Sequence, residues 1–148
     1  MGKIQYTLLS PSDNVIIYME KIRFEAHNDK LTTNPLNSFY GYMLKNGSML
    51  VFTALKDGKP VAGAYVSNLN HAIHIEHVFV KPELQNSDDH IGSNLIKYII
   101  SCKAILELYY KEKLDNIRIE YINAKTKHIY QKLGFEEDTI DGQLKRGL

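Results

Sequence analysis

The chain has 148 residues, of which 44% are apolar and 24% charged, enough for one domain with a proper core and too few for two. The net charge of +1 argues against nucleic acid or an anionic membrane as the main partner. The single cysteine, Cys102, excludes an internal disulfide and suits a reducing compartment. We therefore expect one domain over residues 1–148, without a secretory signal or membrane span, located in the cytoplasm.

The first third of the chain predicts one strand and two helices. A strand is expected over residues 3–9, followed by a stop and helix cap in residues 10–13. Apolar residues with i, i+3, i+4 and i+7 spacings predict a helix from Val15 to about His27. A polar loop over 28–35 and a short helix over 36–45 follow, closed by an Asn-Gly pair.

Three strands are predicted next, joined by short turns. Residues 49–55 and 60–67 flank an Asp-Gly turn, which is typical of a hairpin because glycine tolerates positive φ. A second turn, over residues 68–70, leads to Ala72–Val80, the clearest strand pattern of the chain. The Lys81-Pro82 pair ends that strand.

The remaining elements alternate between helix and strand. One long helix is expected over Ile91–Lys113, with a wide apolar face that should pack on a sheet. A strand over 117–122 and a short helix follow, and residues 135–139 and 143–145 form a last hairpin around Asp141-Gly142. The resulting order, β-α-α-β-β-β-α-β-α-β-β, predicts an α/β fold with a mixed sheet and helices on both faces.

The strand over Ala72–Val80 carries the first candidate chemical groups. Strict alternation would place His74, Glu76, Val78 and Val80 on one face, and Ile73, Ile75, His77 and Phe79 on the other. On this pattern His77 is a structural histidine. The polar side chains at 74 and 76 are either hydrogen-bonded locally or available to remove a proton.

The short helix after the fifth strand carries the second candidate group. Tyr130 follows Asn123 by seven residues and precedes Gly134 by four, and Phe135 begins the next strand. Gly134 lies where a helix needs a left-handed residue to end. A phenol in the middle of a short rigid helix is suited to protonate a leaving group at a fixed point, although core packing would explain the same tyrosine.

This helix and the segment from His74 to Leu95 resemble the two signature regions of the GNAT acetyltransferase superfamily. The second signature is the Asn123…Tyr130…Leu-Gly-Phe pattern, and the first begins with Val80-Lys-Pro82 followed by Gln85. The first signature then departs from the family pattern. His90 stands where a glycine is usual, about two extra residues follow Gln85, and two aspartates lie beside them.

The resemblance implies a mostly antiparallel sheet that is splayed between its fourth and fifth strands. Acetyl-coenzyme A (acetyl-CoA) would bind there as co-substrate, with its diphosphate on the free amides that begin the long helix. From residues alone, that loop could equally be a helix cap formed by Ser87, Asp88 or Asp89. The cofactor-binding residues implied are Val78, Phe79, Val80, Gln85, His90, Ile91, Gly92, Ser93, Asn123 and Tyr130.

The implied activity is an acyltransferase reaction, N-acetylation of a primary amine on a small molecule or peptide by direct attack on the thioester. Tyr130 would protonate the thiolate, and Glu76, His74 or a water would take the amine proton. The acceptor would meet the Asn28–Asn37 loop and the first two helices, which offer Phe24, Glu25, His27, Phe39 and Tyr40.

Three further expectations complete the prediction from sequence. Cys102 packs in the core, the histidines lack metal-ligand spacing so no metal is expected, and the sheet edges or last hairpin are candidates for a homodimer contact. One alternative function is a GNAT-like domain that binds acyl-CoA or another ligand as a sensor or interaction module. A weaker alternative is an unrelated α/β ligand-binding domain.

Overall fold

The computed structural model of the protein describes residues 3–27, 34–139 and 142–148. Seven strands form one sheet in the order β1-β2-β3-β4-β5-β7-β6. The β4–β5 pair is parallel and the other neighbouring pairs are antiparallel, which confirms the predicted mixed sheet. The strands are β1 (Ile4–Leu9), β2 (Leu50–Lys56), β3 (Lys59–Leu69), β4 (Ala72–Val80), β5 (Asn116–Glu120), β6 (Glu136–Glu137) and β7 (Gln143–Gly147).

Among the described residues, five α-helices lie between the strands where four were predicted, because two helices replace the long one expected over 91–113. Short 3₁₀ turns precede α2 and α3, at Pro35–Asn37 and Pro82–Leu84. Residues 28–33 of the predicted loop lie outside the described residues, and so does Asp141 of the predicted last turn. Within the described ranges, no helix is long and apolar enough to cross a membrane. The helices are α1 (Asp13–Ala26), α2 (Phe39–Lys45), α3 (Ile91–Ser101), α4 (Lys103–Tyr110) and α5 (Ala124–Lys132).

The sheet separates two apolar cores, because successive strand residues point to opposite faces. On β2, Phe52 joins the core beneath α3 and α4, whereas its neighbour Val51 joins the core beneath α1 and α2. Leu95 of α3 is fully buried in the first core, and Met19 of α1 in the second. Helices therefore cover both faces, as predicted.

The predicted long helix over 91–113 is wrong in two places. It is interrupted at Cys102, whose N–H bonds the carbonyl of Ile99, three residues back, at 3.0 Å. The usual acceptor four residues back is the Tyr98 carbonyl, which instead accepts from Ser101 Oγ at 2.6 Å. A serine hydroxyl can divert a helical carbonyl in this way. The helix then ends at Tyr110, because Lys111 adopts a left-handed conformation with φ 57°.

The predicted strict alternation along β4 is also wrong, because a β-bulge inserts Glu76 between two paired residues. Tyr65 of β3 pairs with His77, but the next residue, Val66, pairs with Ile75. Beyond the bulge the facing of β4 is reversed. Val78 and Val80 pack on the same core as Ile73 and Ile75, and Phe79 lies in the core beneath α1 and α2.

Candidate functional site

The parallel strands β4 and β5 separate halfway along β4. Their pairing runs from Ala72 opposite Asn116 to Ile75 opposite Ile119 and ends there, although β4 continues to Val80. The separation begins directly at the bulge, which bends the strand and ends the regular ladder. The edge of β4 from Val78 to Val80 therefore faces a gap instead of a neighbouring strand.

A cavity of about 440 Å³ fills this gap. Its walls come from β4, the loop before α3, the start of α3, α5 as far as Tyr130 and the end of α1. This volume lies within the usual range for small-molecule sites. The structure brings together around it all ten residues proposed to bind the cofactor, which are Val78, Phe79, Val80, Gln85, His90, Ile91, Gly92, Ser93, Asn123 and Tyr130.

The residue that precedes α3 has the left-handed backbone conformation typical of glycine, although it is a histidine. His90 precedes the helix in a left-handed conformation, with φ 48° and ψ 46°, and its side chain does not cap the helix. Gly92 leaves room on the cavity side, because a Cβ built there would meet only Val80 Cγ2, at 3.8 Å. Asp88 and Asp89 are exposed. The extra loop residues thus do not fill the space in front of the first amides of α3.

The loop before α3 is anchored by Gln85, and one loop residue and one α5 residue bring polar groups to the cavity. The Gln85 side-chain amide donates to the carbonyls of Val80 at 2.8 Å and Ala26 at 3.2 Å, joining the loop to β4 and α1. Lys125 of α5 lines the cavity and donates to Asn86 Oδ1 at 2.9 Å. Ser87 Oγ is buried and has no hydrogen-bond partner within the described ranges. These groups give the cavity a hydroxyl and a cation, both suited to phosphate oxygens.

Tyr130 is positioned by caps at both ends of α5. Asn123 and Thr126 form a reciprocal capping box at the first turn, and Gly134, with φ 96°, ends the helix. The Phe135 amide donates to the Tyr130 carbonyl at 3.2 Å. Burial raises the pKa of the Tyr130 phenol, so the group keeps its proton at neutral pH and can donate it.

The structure does not place His74 and Glu76 in the large cavity. They line a separate cavity of about 190 Å³ with Arg118, Glu120 and Gln143 among its walls. Glu76 Oε1 accepts a hydrogen bond from Ser67 Oγ at 2.8 Å. Burial, with Arg118 acting in the same direction, lowers the pKa of His74 despite the opposing charge of Glu76.

Several cavity residues were not proposed to bind a ligand from sequence, and three of them, Lys125, Ser87 and His27, are polar. Ser87 was considered only as a helix cap and His27 only as a contact for the acceptor substrate. Lys125 is the second residue of α5 after its Asn123 cap, a position near a helix N-terminus that could have indicated an anion contact. The places of Ser87 and His27 depend on the loop and on the end of α1, for which the sequence has no comparable signal.

One other predicted feature, the buried cysteine, has a clear place in the structure. Cys102 is buried in the core beneath α3 and α4. Among residues 3–27, 34–139 and 142–148, no three histidine, cysteine or carboxylate side chains are grouped closely enough to hold a metal ion.

Comparison with known proteins agrees with this geometry. Residues 47–137 match the family model for the acetyltransferase (GNAT) domain. That match covers more than half of the chain, so the protein belongs to the GNAT acetyltransferase family. No curated protein sequence matches the chain significantly.

Solved structures share the fold at low sequence identity. The Escherichia coli ribosomal-protein-S18-alanine N-acetyltransferase is 17% identical with a TM-score of 0.70, covering 98% of this chain and 94% of that one. The ribosomal-protein-S5-alanine acetyltransferase of Vibrio fischeri is 17% identical with a TM-score of 0.67, covering 99% and 96%. AtaTR bound with acetyl-CoA is 11% identical with a TM-score of 0.66, covering 97% and 92%. These similarities establish the fold, and the family match indicates acetyltransferase activity.

Proposed function

We propose that the protein is an acetyl-CoA-dependent N-acetyltransferase that acetylates a primary amine of a small molecule or peptide. The observation that carries the proposal is the 440 Å³ cavity, in which the open edge of β4, the start of α3 and Tyr130 of α5 meet. Family membership supports the reaction class. The acetyl-CoA bound to a protein of the same fold supports the choice of acyl donor.

The walls of the cavity fit the chemical parts of acetyl-CoA. The amides at the start of α3 carry partial positive charge and suit a diphosphate, and Ser87 and Lys125 add a hydroxyl and an ammonium group. The β4 edge over Val78–Val80 is not paired with β5, so its backbone groups can bond the amides of a pantetheine arm. The donor supplies a thioester carbonyl that a free amine can attack.

The proposed reaction needs one proton acceptor and one proton donor. The amine nitrogen attacks the thioester carbonyl carbon as it loses a proton, the carbon–sulfur bond breaks, and the departing sulfur takes the phenolic proton of Tyr130. A backbone N–H of β4 near Val78 would stabilise the negative charge that develops on the carbonyl oxygen. Solvent then returns a proton to Tyr130.

Glu76 is the first candidate from the sequence for the proton acceptor and His74 the second. Both lie on β4 next to the bulge, but in the smaller cavity. A proton would therefore reach either group through water. Glu76 and Glu120 in that cavity also offer negative charge to a cationic acceptor.

Substitution of Tyr130 by phenylalanine tests the mechanism directly. Tyr130→Phe should lower kcat about 10²–10³-fold while the Kd for acetyl-CoA changes less than threefold, because the ring still fills its place and only the proton donor is lost. Thiol release from acetyl-CoA measures turnover, and calorimetry measures binding. A peptide with a free N-terminal alanine is the first acceptor to test, given the relatives described above, followed by a panel of small amines. An unchanged kcat would remove Tyr130 from the mechanism.

A second function is favoured by one observation, the replacement of the loop glycine by His90 with Asp88 and Asp89 beside it. A domain with this loop could bind acyl-CoA as a sensor or interaction module without transferring the acyl group. Tight binding of acetyl-CoA without turnover on the whole amine panel would favour this function. Turnover on any amine would reject it.

A further inference from the structure

Two histidine rings meet at the wall of the large cavity, fifty residues apart in the chain. His27 follows α1 directly, and His77 follows the bulge in β4. Their Nε2 atoms lie 2.6 Å apart, and the rings meet edge to face with centroids at 4.7 Å. His27 is exposed and lines the cavity together with Phe79 and Tyr130.

At this distance the two Nε2 atoms form one hydrogen bond, so only one of them carries a proton. One ring donates its N–H and the other accepts with a lone pair, so the rings cannot both be protonated in this geometry. Burial, helped by His27 and the guanidinium of Arg23, lowers the pKa of His77 to about 4, against a smaller opposing effect of Glu20. His77 is therefore neutral at physiological pH and can serve as the acceptor for an N–H of His27.

We propose that His27 takes the proton from the acceptor amine and that His77 is the positioning residue that holds the His27 ring by accepting its Nε2–H. The lone pair on His27 Nδ1 is then free for the proton. As the nitrogen–carbon bond forms, the amine N–H bond breaks and the proton passes to Nδ1. Tyr130 gives its proton to the sulfur, and solvent restores both residues. This inference rests on the proposed acetyl transfer.

The position of the pair favours it over the two candidates on β4. His27 lines the same cavity as Tyr130, whereas Glu76 and His74 line a different one and Glu76 is held by Ser67. A positive charge that forms on His27 would be shared with the neutral ring of His77 through their hydrogen bond. Glu76 and Glu120 would then attract the cationic amine instead of accepting its proton.

Several titratable groups surround the pair and enter its pH dependence. From α1, Glu20 and Arg23 act on the charge of His77, and Tyr40 of α2 lies with its ring centroid 5.8 Å from that of His77. Burial raises the pKa of Tyr40, so this phenol stays neutral over the range to be measured. Tyr65 of β3 also keeps its proton, because burial raises its pKa above the usual value.

The test compares His27→Gln with Glu76→Gln between pH 6 and 9.5. The acceptor is a peptide with an N-terminal alanine, whose amine has a pKa near 8, or the best small amine of the panel. His27→Gln should lower kcat/KM at least 100-fold at pH 7 and less than tenfold at pH 9.5, where the amine is already deprotonated. The Kd for acetyl-CoA should change less than twofold. His128→Gln, at an exposed site on α5, is the matched control and should behave as wild type.

His77 is tested by two substitutions that differ in hydrogen bonding. His77→Phe removes the acceptor of the His27 N–H and should lower kcat/KM tenfold or more, and the acid limb of its pH profile should move. His77→Gln restores an acceptor oxygen and should recover most of the rate. A packing role alone would predict equal loss in both variants and no movement of the acid limb.

Three results would overturn the proposal. The first is a kcat/KM of His27→Gln within threefold of wild type at pH 7. The second is a loss of kcat/KM in His27→Gln that is the same at every pH. The third is a loss that recovers at high pH in Glu76→Gln and not in His27→Gln. Melting temperatures of all variants confirm that the comparison is between folded proteins, and His27→Asn replaces His27→Gln if needed. Failure of wild type to bind acetyl-CoA or to acetylate any amine would overturn the proposed function itself, whereas an active wild type with unaffected His27→Gln overturns only this inference.

Discussion

Two regions of the molecule bury polar groups, and they differ in whether those groups are hydrogen-bonded. One is the Glu20 cluster, formed by Glu20, Arg23, Ser38 and Tyr65, and the other is the loop of residues 85–93. The Glu20 carboxylate is fully buried and accepts four hydrogen bonds of 2.6–2.9 Å, two of them from Arg23. In the loop, Ser87 Oγ is buried without a partner among the described residues. A buried hydroxyl without a hydrogen bond is unfavourable by about 1–3 kcal/mol.

The difference separates groups that hold the fold together from groups that are available to a ligand. Burial alone would raise the pKa of Glu20, yet the hydrogen bonds from Arg23, Ser38 and Tyr65 lower it, so the carboxylate is stabilised in its charged form. The cluster links α1, the turn before α2 and β3. Ser87 and other residues of the loop instead line the 440 Å³ cavity. Substitutions in the cluster should therefore change stability, and substitutions in the loop should change ligand affinity.

The largest effect is expected from breaking the Glu20 cluster. Glu20→Gln leaves Arg23, whose side chain is only 17% exposed, without its counter-charge. The free energy of unfolding should fall by about 3 kcal/mol, as for other buried pairs that lose one partner. Urea denaturation measures it. The matched control is Asp13→Asn, which breaks the exposed Asp13–Lys45 pair and should change stability by less than about 0.5 kcal/mol. Equal losses would contradict the structural role of the cluster.

Two glycines extend the same comparison. A Cβ on Gly63 would lie 2.4 Å from Met19 Cε and 2.5 Å from Phe79 Cζ, so Gly63→Ala should destabilise the fold by about 1–3 kcal/mol. Gly92 has room for a Cβ, and Gly92→Ala should leave the free energy of unfolding unchanged or slightly higher. Its Kd for acetyl-CoA should rise at least tenfold, because the methyl group blocks close approach to the backbone. Calorimetry that found wild-type affinity in Gly92→Ala would place the diphosphate elsewhere.

The pH dependence of stability should report His77, which lies between the two regions. Its folded pKa of about 4 is below the ordinary 6.5, so between these values the unfolded chain binds a proton that the folded chain does not. Stability should therefore fall as the pH is lowered through this window, by about 1–2 kcal/mol after allowance for solvent screening of the half-buried ring. His74, whose pKa is also lowered by burial, adds a contribution of the same sign below pH 6.5. Glu20 contributes from about pH 4.5 downward, because its pKa is below that ordinary value.

Urea denaturation at several pH values checks this assignment. His77→Gln should flatten the slope between pH 6.5 and 4, and His128→Gln should not. An unchanged slope in His77→Gln would assign the effect to another group.

The smallest expected effects come from two serines. Ser87→Ala should raise the Kd for acetyl-CoA about three- to tenfold, the equivalent of one hydrogen bond, without lowering the melting temperature. Ser38→Ala removes a donor to Glu20 Oε1 and should lower the free energy of unfolding by about 1–2 kcal/mol while leaving the Kd unchanged. If Ser87→Ala instead lowered the free energy of unfolding and Ser38→Ala instead raised the Kd for acetyl-CoA, the roles assigned to the loop and to the Glu20 cluster would be wrong.

Hydrophobic periodicity and turn residues were sufficient to predict the order of the elements. The bounds of β4, Ala72–Val80, were predicted as observed, because Asn68–Asn70 and Lys81-Pro82 mark both ends. Ten of the residues around the cavity also followed from the sequence, through the Asn123…Tyr130…Gly134 spacing and the resemblance that it supports, whereas Lys125, Ser87 and His27 did not.

The features that could not be predicted depend on contacts between distant segments or on a single diverted hydrogen bond. The bulge at Glu76 is defined by the pairing of β4 with β3, so a period-two reading of β4 alone misassigns His77, Val78, Phe79 and Val80. At the break at Cys102, the Tyr98 carbonyl accepts from the Ser101 hydroxyl, a contact that helical periodicity does not indicate. The contact between His27 and His77 joins residues fifty positions apart, and neither has a local signal for it.

The most direct test of the central claim is a titration of the labelled protein with acetyl-CoA, followed by the backbone amide signals in NMR. We expect saturable shifts that are largest for the amides of Ile91, Gly92 and Ser93 and along Val78–Val80, with little change in the Glu20 cluster. Shifts centred on another surface, or no shifts at millimolar acetyl-CoA, would contradict it.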